Sequence, residues 1–198
     1  MQEYWIDMYI PQLNKQKLQE LTKKVFNEVS PTITEYDTFE EENYSPETFI
    51  STILEGKGAY LGIYFGKEDG ITLGIAKEDN RYKAYLQYLI QYDSTQALRI
   101  ITQIHSILKP HFTIAYDPDY PTPITHTPNT LPDYFEWFWI LGPELAKQYD
   151  LSKIPAAFQT KKLQDGGVMI LDPNPLDSRI TEEDKRKLYR LPKKTQKP

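Results

Sequence analysis

AYLGIYFGKEDGITLGIAKEDNRYKAYLQYLIQ, residues 59–91, is the stretch whose reading decides the fold. Between Ala59 and Phe65, Leu61, Ile63 and Phe65 alternate with Tyr60, Gly62 and Tyr64. Between Ile71 and Ala76, Ile71, Leu73 and Ile75 share one face. Between Arg81 and Gln91, Tyr82, Ala84, Leu86, Tyr88 and Ile90 alternate with Arg81, Lys83, Tyr85, Gln87, Leu89 and Gln91. A period of two belongs to a strand, whose successive side chains leave on opposite faces. Glu68-Asp69-Gly70 and Asp79-Asn80 are turn chemistry. Three alternating runs joined by two tight turns predict an antiparallel meander with one face on a core. Gly58, Gly62, Gly66, Gly70 and Gly74 recur every four residues through it. They match neither phosphate-binding glycine pattern, so turns, bulges and close packing are the reading.

Before the meander, Glu3 to Ile10 reads as a strand ended by Pro11. Leu13 to Val29 reads as a helix, with Leu18, Leu21, Val25 and Val29 three and four apart. Thr32 to Phe39 alternates as a further strand. Ser45-Pro46-Glu47 opens a second helix, a cap followed by proline at the first helical position, and Gly56 closes it. After the meander, Asp93 or Ser94 caps a helix that runs to Leu108 with a wide apolar face, and Lys109-Pro110 ends it. His111 to Tyr116 is a short strand. Asp117 to Pro132 is a 16-residue loop with five prolines; such length inside a domain often serves function, and proline lowers the cost of ordering it. Tyr134 to Leu141, YFEWFWIL, carries large rings on both faces and reads as a central strand covered on both sides. Pro143 to Tyr149 is a short helix. Phe158 to Leu163 and Val168 to Leu171 form a hairpin about Asp165-Gly166-Gly167, and Glu182 to Arg190 is a last helix. Strands interrupted by single helices predict an α+β fold, a mostly antiparallel sheet with helices packed on one side. The expectation is a single α+β domain over 1–192, with 193–198 a basic, disordered tail.

Composition narrows the function classes. There is no cysteine, so neither a disulfide nor a thiolate site exists. No basic leader with an apolar stretch follows Met1, and no apolar segment approaches the ~20 residues that span a bilayer. A soluble, cytoplasmic protein without a membrane partner is the expectation. Net charge is −5, but seven of the 23 basic residues fall from Lys185 onward, where there is no acid. The preceding 184 residues therefore hold all 28 acids against 16 bases, a net of −12. An acidic body repels nucleic acid and favours basic partners. Oligomeric state is not set by any of this.

Chemistry-bearing patterns are few. His105 lies beside the apolar face of its helix. His111, Asp117, Asp119 and His126 are near one another in sequence, and a small enzyme or metal-binding protein built on His111, His126 and those aspartates is one reading. The usual zinc and calcium spacings are absent. There is no Gly-x-Ser-x-Gly elbow. Neither a catalytic residue nor a cofactor is assigned, and the protein is not expected to be an enzyme. A structural protein of a mobile element is a further reading.

Leu141-Gly142-Pro143-Glu144-Leu145, then Asp165-Gly166-Gly167-Val168, then Pro173-Asn174-Pro175-Leu176-Asp177 give an order of strand, helix, strand, hairpin and exit. In that quarter of the chain it resembles the C-terminal part of bacterial polymorphic-toxin immunity proteins, the immunity protein family number fifty-two and its relatives. The resemblance implies stoichiometric binding of a cognate toxin domain, a protein partner, without catalysis. On that reading Glu40, Glu41 and Glu42, with Asp117, Asp119 and Tyr120 on the proline loop, are the candidate toxin-binding residues.

Overall fold

The computed structural model describes residues 2–26, 35–38, 45–65, 69–78, 81–90, 94–116 and 138–172, with positions 183, 187 and 194. The chain divides into two compact units, Met1–Pro110 and His111–Pro198. Both carry antiparallel sheet together with helix, so the fold is α+β as the periodicity predicts.

In the first unit, β1 (Gln2–Ile10), β2 (Glu35–Thr38), β3 (Ala59–Phe65), β4 (Asp69–Glu78) and β5 (Arg81–Ile90) pair in the order β2-β3-β4-β5-β1. The meander β3-β4-β5 forms as its alternation demands, and β1 adds to its far side with Ile6 opposite Leu86 and Met8 opposite Ala84. The register places Leu61, Leu73 and Leu86 in one row and Ala59, Ile75 and Ala84 in the next. All six are buried, as are Ile6, Met8 and Ile10. Strand β4 is longer than the turn chemistry suggests. Asp69 and Gly70 pair with Phe65 and Tyr64, and Glu78 pairs with Arg81. Continued ladder hydrogen bonding outweighs the local turn preference of Asp-Gly. Residues 66–68 and 79–80 lie outside the described residues.

Three helices supply the other half of this core. Asn14 caps α1 (Lys15–Leu21) by accepting from the Lys17 N–H at 2.9 Å, and a π turn over Thr22–Phe26 follows. Ser45 caps α2 (Pro46–Leu54), its hydroxyl accepting from the Thr48 N–H at 3.0 Å, and Gly56 ends it at φ +86°. The longest helix, α3 (Ser94–Leu108), buries Ala97, Ile100, Ile101, Ile104, Ile107 and Leu108. Lys17 closes its end: the Nζ donates to the carbonyls of Leu108 at 2.8 Å and Gln12 at 2.7 Å. A cation there complements the negative end of the helix dipole. Partial burial, and then Lys109, holds the Lys17 pKa below its ordinary value.

The second unit pairs β6 (Phe112–Tyr116), β7 (Phe138–Leu141), β8 (Gln159–Lys162) and β9 (Val168–Leu171) in the order β6-β7-β9-β8. Strand β7 is central and all four of its residues are buried, as rings on both faces predict. The helix after it, α4 (Pro143–Ala146), is shorter than expected. The Gln148 N–H bonds to the Leu145 carbonyl at 2.9 Å, a tightened last turn. Tyr149 thereby leaves the helix and buries against Trp139, edge to face at 6.2 Å. The hairpin forms about Asp165-Gly166-Gly167, with the Leu163 N–H on the Gly167 carbonyl at 2.9 Å and the Gly167 N–H on Asp165 Oδ1 at 2.9 Å. Of the basic tail, Lys194 is described, and its N–H donates to the Gln148 carbonyl at 2.6 Å.

The two hairpin glycines should respond differently to alanine. A Cβ on Gly167 would lie 2.7 Å from the Leu141 carbonyl oxygen, a backbone atom that cannot turn aside. A Cβ on Gly166 would meet only the Pro143 Cβ, at an ordinary contact distance of 3.7 Å, but the residue sits at φ +88°. Gly167→Ala is expected to lower stability by about 2 kcal/mol through overpacking, and Gly166→Ala by about 1 kcal/mol through backbone strain. Urea denaturation of the two variants measures the order.

Candidate functional site

The two faces of the first unit's strands differ in kind. Alternation on β1 sends Ile6, Met8 and Ile10 to the helix-covered core and Trp5, Asp7 and Tyr9 to the opposite face. There the register aligns Tyr60, Gly74, Tyr85 and Asp7 across β3, β4, β5 and β1, with Gly62, Thr72, Gln87 and Trp5 in the adjacent row. Glycine at 62, 70 and 74 and alanine at 76 leave the middle of this face low. Rings flank the depression. The result is a groove of about 310 Å³ lined by Trp5, Asp7, Tyr60, Thr72, Gly74, Ala76 and Tyr85, with Ile6 and Leu86 beneath.

Each wall has a physical cause. The Tyr60 ring lies across Gly74, occupying the space a Cβ would need: Cε1 would be 2.5 Å and Cδ1 2.7 Å from it. The glycine thus gives the ring a flat seat on the sheet. Asp7 is only 4% exposed, and Lys83 reaches it diagonally across the strand pair, Nζ to Oδ2 at 2.9 Å. The same ammonium sits 4.5 Å from the centroid of the Tyr85 ring, a cation–π contact. Trp5 is 37% exposed, one of two large apolar side chains presented outward among the described residues. Gly74→Ala should unseat the Tyr60 ring, with a changed near-ultraviolet circular dichroism spectrum and a stability loss of about 1 kcal/mol.

A second groove, about 690 Å³, runs between α1 with its π turn and α2, lined by Lys15, Gln19, Lys23, Glu47, Ser51 and Leu54 among others. Its lining is mostly solvated polar side chains and offers no convergent chemistry.

The residues singled out from sequence fall elsewhere. Glu40, Glu41, Glu42, Asp117, Asp119, Tyr120 and His126 lie outside the described residues. His105 is buried in α3, and His111 is half-buried at the start of the second unit, its carbonyl accepting from the Gly142 N–H at 2.9 Å. Among the described residues no three His, Asp or Glu side chains are grouped to hold a metal ion, and no helix is long and apolar enough to cross a membrane. The groove residues were not marked in the sequence as functional. Two signals pointed to them: the Trp5, Asp7, Tyr9 alternation against Ile6, Met8, Ile10, and the four-residue recurrence of glycine.

The groove suits recognition. Tryptophan and tyrosine are the side chains that most often anchor protein interfaces, because they offer large rigid area at low entropic cost. No family model matches this chain, and no curated protein sequence matches it. Among solved structures it is similar to a chain of a crystal structure of the toxic C-terminal tip of CdiA from Pseudomonas aeruginosa in complex with immune protein. That likeness has a TM-score of 0.37 and 14% identity, over 59% of this chain and 87% of that one. It is also similar to a Trypanosoma brucei AdoMetDC-delta26 monomer, with a TM-score of 0.32 and 8% identity, over 85% of this chain and 62% of that one.

Proposed function

We propose that this protein is an immunity protein that binds a cognate bacterial toxin domain one to one in the cytoplasm and neutralises it by contact rather than by catalysis. The observation that carries the reading is the aromatic groove of the first unit, set in a chain whose first 184 residues have a net charge of −12. Buried rings supply the affinity of an interface, and complementary charge speeds encounter and selects the partner. The resemblance of segments 141–145, 165–168 and 173–177 to polymorphic-toxin immunity proteins supports the same reading. Glu40, Glu41, Glu42, Asp117, Asp119 and Tyr120 are the toxin-binding residues that the resemblance to immunity proteins proposes.

Co-expression with the toxin domain encoded beside its gene tests the proposal. Bacterial survival and one-to-one co-purification are expected. Death of the co-expressing cells with no complex would overturn it.

A further inference from the structure

The groove of the first unit has a composition that selects one kind of side chain. Trp5, Tyr60 and Tyr85 present three π systems around it, and Asp7 lies in its wall. Aromatic rings carry negative charge on their faces, so a ring of them attracts cations and discriminates against neutral groups of the same shape. The molecule already shows this preference once: the Lys83 ammonium rests 4.5 Å from the Tyr85 centroid while bridging to Asp7. That pair is neutral as a unit. Beyond it, the β2 ladder puts Glu35 in register with Gly62 and Asp37 with Tyr60, and the β1 ladder puts Glu3 in register with Leu89. Three further acidic positions thus lie on strands bordering the groove, within a body that is itself strongly acidic. At about 310 Å³ the groove is at the small end of ligand clefts, a size that suits one or two protein side chains rather than an extended cofactor.

We infer that this groove is a cation-accepting aromatic cage for an arginine side chain of a basic protein partner. Arginine fits better than lysine because a planar, weakly hydrated guanidinium can stack flat on the Trp5 or Tyr60 ring, within the field of an acidic body, where a compact, strongly hydrated ammonium cannot. Interface hot spots also tend to pair with hot spots, and tryptophan, tyrosine and arginine are the three enriched types. The inference deepens the immunity reading by naming the chemistry its toxin partner must present.

The test uses the full 198-residue protein and two short synthetic peptides, one of alternating arginine and glycine and one with citrulline in place of every arginine. Citrulline keeps the shape and removes the charge. Binding is followed by nuclear magnetic resonance through the Trp5 indole N–H. The arginine peptide should shift the Trp5 signal progressively, with an affinity at least ten-fold above that of the citrulline peptide. Trp5→Leu, which keeps apolar bulk but removes the π face, and Tyr60→Leu should each weaken arginine-peptide binding about ten-fold, the upper part of the cation–π range. Trp5 is partly exposed, so its variant should keep the parent circular dichroism spectrum. Equal binding of both peptides, or binding that leaves the Trp5 signal unmoved, would overturn the inference. No toxin enters this assay. A negative result leaves the immunity proposal standing, and failed co-expression leaves the cage standing.

Discussion

Trp139→Ala should lower the free energy of unfolding by about 4 kcal/mol, the largest effect expected of any single substitution considered. Trp139 is fully buried in β7, the strand of the second unit that pairs on both edges. It faces Ile114 of β6 on one side and Ile170 of β9 on the other in register, and both of those are buried too. Its ring meets Tyr149 edge to face, with 6.2 Å between centroids and 85° between planes. Truncation removes the largest fully buried side chain among the described residues. The space cannot collapse easily, because a strand paired on both edges holds the surrounding backbone. In a chain of this size each kcal/mol moves the thermal midpoint by roughly 2–4 °C, so the midpoint should fall by about 10 °C. Trp139→Phe keeps the edge-to-face partner and most of the volume, and should cost about half as much. Urea denaturation and thermal melts of the two variants make the comparison. Near-equal midpoints for wild type and Trp139→Ala would show that this strand does not hold the core.

The second large effect belongs to the Asp7–Lys83 pair. Lys83→Met should cost about 3 kcal/mol, because a carboxylate that is 4% exposed loses its ammonium at 2.9 Å while the sheet still shields it from water. The direction of the double variant matters more than the single. Asp7→Leu with Lys83→Met removes both charges at once and should recover most of the loss, since a buried ion pair owes much of its apparent strength to the penalty of breaking it. A coupling energy of about 2 kcal/mol is expected from the double-mutant cycle, measured by urea denaturation. Purely additive losses would show that the two side chains act independently. Since Lys83 also covers one ring of the groove, the double variant offers a folded protein in which the aromatic walls remain and the built-in cation is gone.

The meander was legible because its pattern has one period and one meaning. Leu61, Leu73 and Leu86 share a row as alternation places them, and Gly56 ends α2 as a terminal glycine should. The part of the aromatic run that is described, Phe138–Leu141, was legible as a covered strand for the same reason; Tyr134 to Trp137 lie outside the described residues. The errors of detail are local preferences overruled by pairing: Asp69-Gly70 carries turn chemistry yet extends β4, and Tyr149 keeps helical spacing from Leu145 yet leaves α4 to bury against Trp139. The candidate site was less legible. Runs of acids and proline-rich loops attract notice in a sequence because they are contiguous. Trp5, Tyr60, Gly74, Lys83 and Tyr85 are scattered over some eighty positions and each is ordinary by itself.

By itself the sequence determined the class of the fold, the antiparallel meander, the Ser45 cap that opens α2, and an acidic body ending in a basic segment. These follow from periodicity, capping and charge, which act between residues close along the chain. Tertiary structure alone decided that β1 would add beside β5, that Lys83 would find Asp7, and that the ring of Tyr60 would settle on Gly74. Those outcomes depend on strand register, and register is fixed by the summed fit of whole strands rather than by any residue's own preference. The groove is a product of register, and so is the chemistry it can hold.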